Sequence, residues 1–149
     1  MFLLDTDTSS YVMKRLDKAL VEKIKGFAPG ELKVSAITAF ELEYGARRSQ
    51  RYEHFTRVIH AFLENVEVLP FTPEAGREAG AIRATLAALG NLIGAYDLLI
   101  AGHARALKAT LVTNNVGEFS RVDDLAIENW AAQPMTPAVL HPLLIRPGR

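Results

Sequence analysis

The segment MFLLDTDTSSY, residues 1–11, decides how the rest of the chain is read. A short apolar run at 2–4 leads directly into Asp5, and Asp7 follows two residues later. An apolar run that ends in acids reads as a buried strand delivering carboxylates to a site. In open parallel sheets, sites form beyond the carboxyl ends of the strands. Three roles are open to Asp5 at this point. It can attack phosphorus as a nucleophile, hold a metal ion, or join Asp7 in capping the helix that follows.

Working outward, four more strand-like runs occur at 33–36 (KVSA), 66–71 (VEVLPF), 109–114 (ATLVTN) and 125–129 (LAIEN). Several are continuously apolar, as expected of strands covered on both faces. Helical segments lie between them. Asp7 or Thr8 is expected to cap a helix through Tyr11, Val12 and Leu16, and a second helix is expected from Ala19 to Phe27, before the Pro29-Gly30 break. Thr38 is expected to open TAFELEYGARR, and a helix from Tyr52 to Asn65 follows. Thr72-Pro73-Glu74 combines an N-cap, a proline at the first helical position and an acid in the first turn. That helix should run to about Leu89 and stop at Gly90, and another should span Ala95 to Lys108. Alternating strands and helices predict an α/β fold with a mainly parallel central sheet. The expected organisation is one domain over 1–130 and a proline-rich appendage over 131–149, which holds four of the seven prolines.

Composition narrows the chemistry. The chain has 149 residues, enough for one ordinary domain with its own core. It lacks cysteine, which removes disulfides, thiolate metal sites and thiol nucleophiles. No apolar run approaches the length of a membrane span, and the first residues have no basic stretch of the secretory kind. The cytoplasm is the expected compartment. Net charge is zero, from 17 basic and 17 acidic residues, so no whole-protein field argues for nucleic acid. Arg47, Arg48, Arg51 and Arg57 do cluster, either as a solvated helix surface or as a patch for substrate phosphates.

Two further acids stand out. At about 100° per residue, Ile37, Phe40 and Tyr44 form one apolar stripe, with Glu41 at its edge and Glu43 pointing away. Glu41 is therefore expected to face the fold. An acid on an inner face is costly unless it is paired, protonated or bound to a metal. Asp97 lies in the first turn of AYDLLIAGHARAL, which is apolar on nearly every face and should be central. Dipole compensation alone can explain an acid there. Thr113, Asn114, Asn115 and Glu118 follow the carboxyl end of the TLV run and can converge on Asp5.

Other chemistries lack their residues. The four histidines have no metal-ligand spacing, and His103 reads as a packed helix residue. No nucleophile elbow and no phosphate-binding glycine loop is present. A carboxylate cluster remains, and oxygen-only ligands select hard cations, Mg²⁺ or Mn²⁺.

LLDTDTS approaches the D-x-D-x-[TV] opening of haloacid-dehalogenase-type phosphatases, with Asp5 as nucleophile and Asp7 as acid/base. That scheme needs a later lysine, yet none follows Lys108, and Asp123 and Asp124 come too soon after Thr113. LLDTDTSSY, VSAITAFELEYGARR, IGAYDLLIAGHARALKATLVTNNVGEFSRV and LAIENW together resemble the PIN-domain ribonucleases, most closely the VapC-type toxins of bacterial type II toxin–antitoxin pairs. The four blocks occur in order from the start of the chain to about Trp130.

The resemblance implies a three-layer α/β/α fold and a Mg²⁺-dependent endoribonuclease that leaves 5′-phosphate and 3′-hydroxyl ends. It implies structured RNA such as tRNA as substrate, a homodimer, and a cognate VapB-type antitoxin that blocks the site. It places Asp5, Glu41 and Asp97 as the catalytic, metal-holding acids, with Asn115 as a further catalytic residue. Thr6 falls at a small hydroxyl position and Thr113 at a hydroxyl that lines such sites. The chain departs from the pattern twice. Asp7 stands where many relatives carry asparagine, and Asn115 stands where a fourth acid often occurs, with Glu118 three residues on as a substitute. Arg47, Arg48 and Arg51 are candidates for RNA phosphates. Loss of main acids would have pointed instead to a catalytically silent PIN-like binding module, and here all three are present. The segments AFELEYG and HAFLENV offer apolar surface for the dimer or the antitoxin, unless they belong to the core.

Overall fold

A computed structural model describes residues 1–132 and 134–135. Its elements run β1 (Phe2–Leu4), α1 (Thr6–Lys14), α2 (Lys18–Lys25), β2 (Leu32–Ser35), α3 (Ala36–Arg48), α4 (Tyr52–Leu63) and β3 (Glu67–Leu69). Then come α5 (Pro73–Ala88), α6 (Ala95–Leu107), β4 (Thr110–Val112), α7 (Val116–Phe119) and β5 (Ile127–Glu128). The strands form one sheet in the order β3-β2-β1-β4-β5, and every pairing is parallel. β1 is therefore the central strand, and its carboxyl end carries Asp5 between the ends of β2 and β4.

Period-two alternation splits the core into two layers. Leu4, Val34 and Val112 point into a cluster with Tyr11, Leu42, Phe55 and Phe62 from α1, α3 and α4. Leu3 and Leu111 point to the opposite face, onto Ile82 and Leu86 of α5, Leu98 and Ile100 of α6, and Phe119 of α7. This is the expected three-layer α/β/α architecture. α6 is central, as its apolar composition requires, with Asp97, Leu98, Ile100, Ala101, Gly102, His103 and Ala104 all buried. Its contact with α5 is very close at Gly102, where an added Cβ would stand 2.5 Å from the backbone nitrogen of Ala79.

Two helix starts differ from the sequence expectation. Asp5, rather than Asp7 or Thr8, caps α1, and Ser35, rather than Thr38, caps α3. No turn separates strand from helix in either case: the cap of α1 is the residue directly after β1, and the cap of α3 is the last residue of β2. The Thr72-Pro73 start of α5 is as expected, with the Thr72 hydroxyl accepting from the Ala75 N–H at 3.2 Å. Gly90 ends that helix in the left-handed region at φ 64°. The short helix α7 is not among the elements expected from the sequence, because one turn carries no periodicity.

The face of α3 also differs. Its buried residues are Thr38, Glu41, Leu42, Gly45 and Ala46, whereas Phe40 and Tyr44 are 47% and 41% exposed. The apolar stripe that the helical period picks out is thus largely an outer surface. Glu41 does face the fold, on a buried face where Leu42 is the one large apolar residue beside Thr38, Gly45 and Ala46.

The last described residues are tied to the domain. The Trp130 ring stacks on Phe27 at 5.0 Å and meets the edge of Phe2. The Ala132 N–H donates to Asp17 Oδ2 at 2.7 Å, and the Met135 N–H to Asn114 Oδ1 at 3.2 Å. The remainder of the expected appendage lies outside the described residues.

Candidate active site

β1 delivers Asp5 to the carboxyl end of the sheet and holds it there. The Asp5 N–H donates to the Val112 carbonyl at 3.0 Å, extending the β1–β4 pairing by one residue. Both carboxyl oxygens are engaged. Oδ1 accepts from the Thr8 N–H at 2.8 Å as the α1 cap, and Oδ2 accepts from the Thr113 hydroxyl at 2.5 Å. Asp5 is 1% exposed. Burial, reinforced by the charge of Asp7, pushes its carboxyl up to about 7, against the bonds from Thr113 and Thr8. Asp7, half-buried in the first turn of α1, therefore acts on Asp5 through its charge.

Beyond β4, Thr113 Oγ1 also accepts from the Asn115 N–H at 2.9 Å, so its own proton is directed to Asp5. Asn115 Nδ2 donates to Glu118 Oε2 at 2.6 Å, and Glu118 is buried. A second set forms on the α3 side. The Thr6 hydroxyl donates to Glu41 Oε1 at 2.7 Å and lies 3.2 Å from Thr38 Oγ1. Because Thr6 directly follows Asp5, the two sets meet at the end of β1. Asp97 is buried in the first turn of α6, a helix that packs on α3.

The acids singled out in the sequence are thus brought to one end of the sheet or buried on the helices beside it. Among the described residues, no three His, Asp or Glu side chains are gathered closely enough to enclose an ion as they stand. The donor chemistry nevertheless fits a hard divalent cation. The carboxyl and hydroxyl groups at the site offer only oxygen donors, and such ions commonly retain several waters.

The arginines are engaged elsewhere. Arg47 Nε donates to Glu43 Oε1 at 2.7 Å, with its guanidinium over Tyr52. Arg48 lies over Tyr44 and Arg51 over Phe55. Glu43 is accordingly half-exposed and paired, rather than fully solvated. Sequence reasoning passes over Thr38 and Ser35 as site residues. Both lie at the inner face of the start of α3, a hydroxyl-bearing face that a search for apolar stripes does not register.

Residues 2–125 match the PIN domain, and the chain belongs to the PIN-domain family. Within it the chain groups with the VapC-type ribonucleases, enzymes that hydrolyse phosphodiester bonds. It is 38% identical over 130 residues to the tRNA(fMet)-specific endonuclease VapC of Shigella flexneri, a match spanning 87% of this chain and 98% of that one. It is 40% identical over 129 residues to ribonuclease VapC2 of Haemophilus influenzae, spanning 87% and 97%. Its fold superposes with a TM-score of 0.83 on DNA-bound VapBC from Salmonella typhimurium, at 37% identity over 87% of this chain and 98% of that one. The promoter-bound VapBC2 of Rickettsia felis gives 0.82 at 34% identity, with the same coverage.

Proposed function

We propose that the chain is a Mg²⁺-dependent endoribonuclease, with Mn²⁺ as an alternative ion, that cleaves structured RNA such as tRNA. One observation carries this reading. Asp5 is a fully buried carboxyl at the end of the central strand, close to a second acid, with its proton affinity raised to about 7. A carboxyl so placed is neutralised by a proton or by a cation, and its all-oxygen surroundings favour a hard divalent ion. Asp5, Glu41 and Asp97 would hold it. When bound, such an ion polarises a scissile phosphate and lowers the pKa of water.

The protein's own groups supply orientation. Thr113 and the Thr8 N–H fix the two oxygens of Asp5, and Thr6 fixes Glu41. Asn115 steadies Glu118, which would supply a further carboxylate to the site. Water is the attacking group, and the products carry 5′-phosphate and 3′-hydroxyl ends. The substrate class rests on the tRNA-specific name of the Shigella relative. Arg47, Arg48 and Arg51 are assigned to RNA phosphates as accessory contacts only, since each is already engaged on the helix surface.

The partners follow the VapBC complexes among the structural relatives. A VapB-type antitoxin is assigned to an apolar groove of about 560 Å³, whose walls include Val12, Ile24, Phe27, Ala61, Phe62 and Val66. HAFLENV supplies the last three of these. The exposed Phe40 and Tyr44, with Tyr96 edge-on to Phe40 at 5.2 Å, are assigned to a homodimer contact. No helix among the described residues is long and apolar enough to cross a membrane. The cytoplasm, where RNA and antitoxin are made, is the proposed place of action.

The test is cleavage of purified tRNA with and without EDTA, followed by mapping of the ends. Metal-restored cleavage at discrete positions is expected, with no hydrolysis of a small phosphomonoester. Cleavage indifferent to EDTA, or turnover of the monoester, would sink this reading.

A further inference from the structure

One buried contact away from the Asp5 carboxyl joins α3 and α6, the helices that carry Glu41 and Asp97. His103 Nδ1 lies 2.8 Å from Ser35 Oγ, between residues 68 apart in sequence. Both are fully buried, at 1% and 0% exposed. Ser35 is the N-cap of α3, its hydroxyl oxygen accepting from the Ile37 N–H at 3.0 Å, and His103 is near the middle of α6. A hydrogen bond between a helix cap and a side chain of another helix ties the axial position of one to the other.

The spacing gives this tie its meaning. Asp97 precedes His103 by six residues, and Glu41 follows Ser35 by six. At 1.5 Å per residue each carboxylate is about 9 Å of helix axis from the tie. α6 is braced on its α5 side as well. Gly102 sits hard against the Ala79 backbone, and Arg105 forms an ion pair with Glu78. The imidazole is oriented by the edge of Phe71, with ring centroids 5.5 Å apart and planes at 82°. Its Nε2 is buried without a hydrogen-bond partner. A buried polar atom left in that state is unfavourable. A leucine here would fill the space without an orphaned nitrogen but would lose the bond to the buried Ser35 hydroxyl, so that bond, rather than packing, accounts for an imidazole at this position.

We propose that His103 is a positioning residue, which with Ser35 forms a strut setting the register of Asp97 on α6 against Glu41 on α3. This rests on the metal-holding role proposed for those two acids. Groups hydrogen-bonded directly to metal ligands typically change affinity by about 10–100-fold when removed, and a tie acting through the helix axes is expected at the low end of that range.

The experiment measures Mn²⁺ binding to the purified full chain by electron paramagnetic resonance, with thermal melting of every variant alongside. His103→Leu keeps volume but loses the bond to Ser35. His103→Asn keeps a polar nitrogen near the Nδ1 position. Expected are a Mn²⁺ dissociation constant weakened about 10-fold in His103→Leu and one within roughly 3-fold of wild type in His103→Asn. Ser35→Ala serves as a second variant should His103→Leu fail to fold, and it should weaken binding like His103→Leu. A folded His103→Leu or Ser35→Ala that binds Mn²⁺ as wild type does overturns the strut alone. A wild-type chain that does not bind Mn²⁺ overturns the metal reading, and the strut with it.

Discussion

The Thr113 hydroxyl donates to Asp5 Oδ2 at 2.5 Å, joining the ends of β1 and β4 by a side-chain bond where their backbone pairing stops. This bond favours the ionised form of Asp5 and opposes the burial that disfavours it. Thr113→Val should therefore raise the Asp5 pKa above its present value of about 7. In a pH–rate profile at limiting metal, the acidic limb should move to higher pH, with activity near neutrality down about 10-fold or more. An unmoved acidic limb would mean that Thr113 does not control Asp5.

Metal-free stability should depend on pH through Asp5. Its folded pKa is raised, to about 7 from 3.8, so the folded state binds more protons than the unfolded state between those values. Stability contributed by the protonated form is full below about pH 4 and falls as pH rises towards 7. Asp5→Asn should remove this slope and melt higher than wild type at pH 8 without metal, while losing RNA cleavage. Mg²⁺ should raise the wild-type melting temperature most at the alkaline end, because only there does it replace no proton. Melts in EDTA across pH 4–8 decide this. A flat wild-type profile would contradict the proton affinity assigned to Asp5.

Asp7→Asn should separate charge from ligation. The Asp7 charge is the second cause, after burial, of the raised Asp5 pKa. Removing it should lower that pKa and lessen the slope between pH 4 and 7, while substantial RNA cleavage persists. Cleavage as low as that of Asp5→Asn would make Asp7 a member of the site.

Two glycines should respond oppositely to alanine. Gly102→Ala forces a methyl to within 2.5 Å of the Ala79 backbone and should destabilise by roughly 1–3 kcal/mol. Gly80 is exposed on α5 with nothing within 4 Å of an added methyl, and Gly80→Ala should stabilise by about 0.5–1 kcal/mol. Chemical denaturation of both variants checks the pair. Equal effects would argue against the close α5–α6 contact.

The exposed aromatics give a test of assembly. Phe40→Glu places a charge between Tyr44 and Tyr96 and should convert a dimer to a monomer by size measurement, with little change in melting. A variant that stays dimeric would move the interface elsewhere.

Much of this arrangement is legible in the chain because the relevant physics is local. Leu3 and Leu4 are apolar on both faces of a three-residue strand, so β1 reads as central and Asp5 as strand-terminal. The helical period puts Glu41 on the inside of α3, although for a partly mistaken reason. The stripe used to orient the helix contains Phe40 and Tyr44, which are exposed, while the true inner face is built from Thr38, Gly45 and Ala46. Small residues are buried where elements approach closely, and hydropathy does not rank them. The caps of α1 and α3 fall earlier than the sequence suggests for a related reason. Capping depends on where the strand stops, and a direct strand-to-helix junction leaves no punctuation. The Ser35–His103 pair is illegible because its members are 68 residues apart and neither type announces a partner.

The Asp5–Thr113 pairing spans 108 positions of chain, with β2, β3, β4 and six helices between them. During synthesis from the amino end, Asp5 is made 108 residues before Thr113, which follows directly on β4. A truncated or still-growing chain thus carries the first acid without the strand and hydroxyl that hold it. The central position of β1 delays assembly of the site until β4 has been made, so chains ended before it lack the complete constellation.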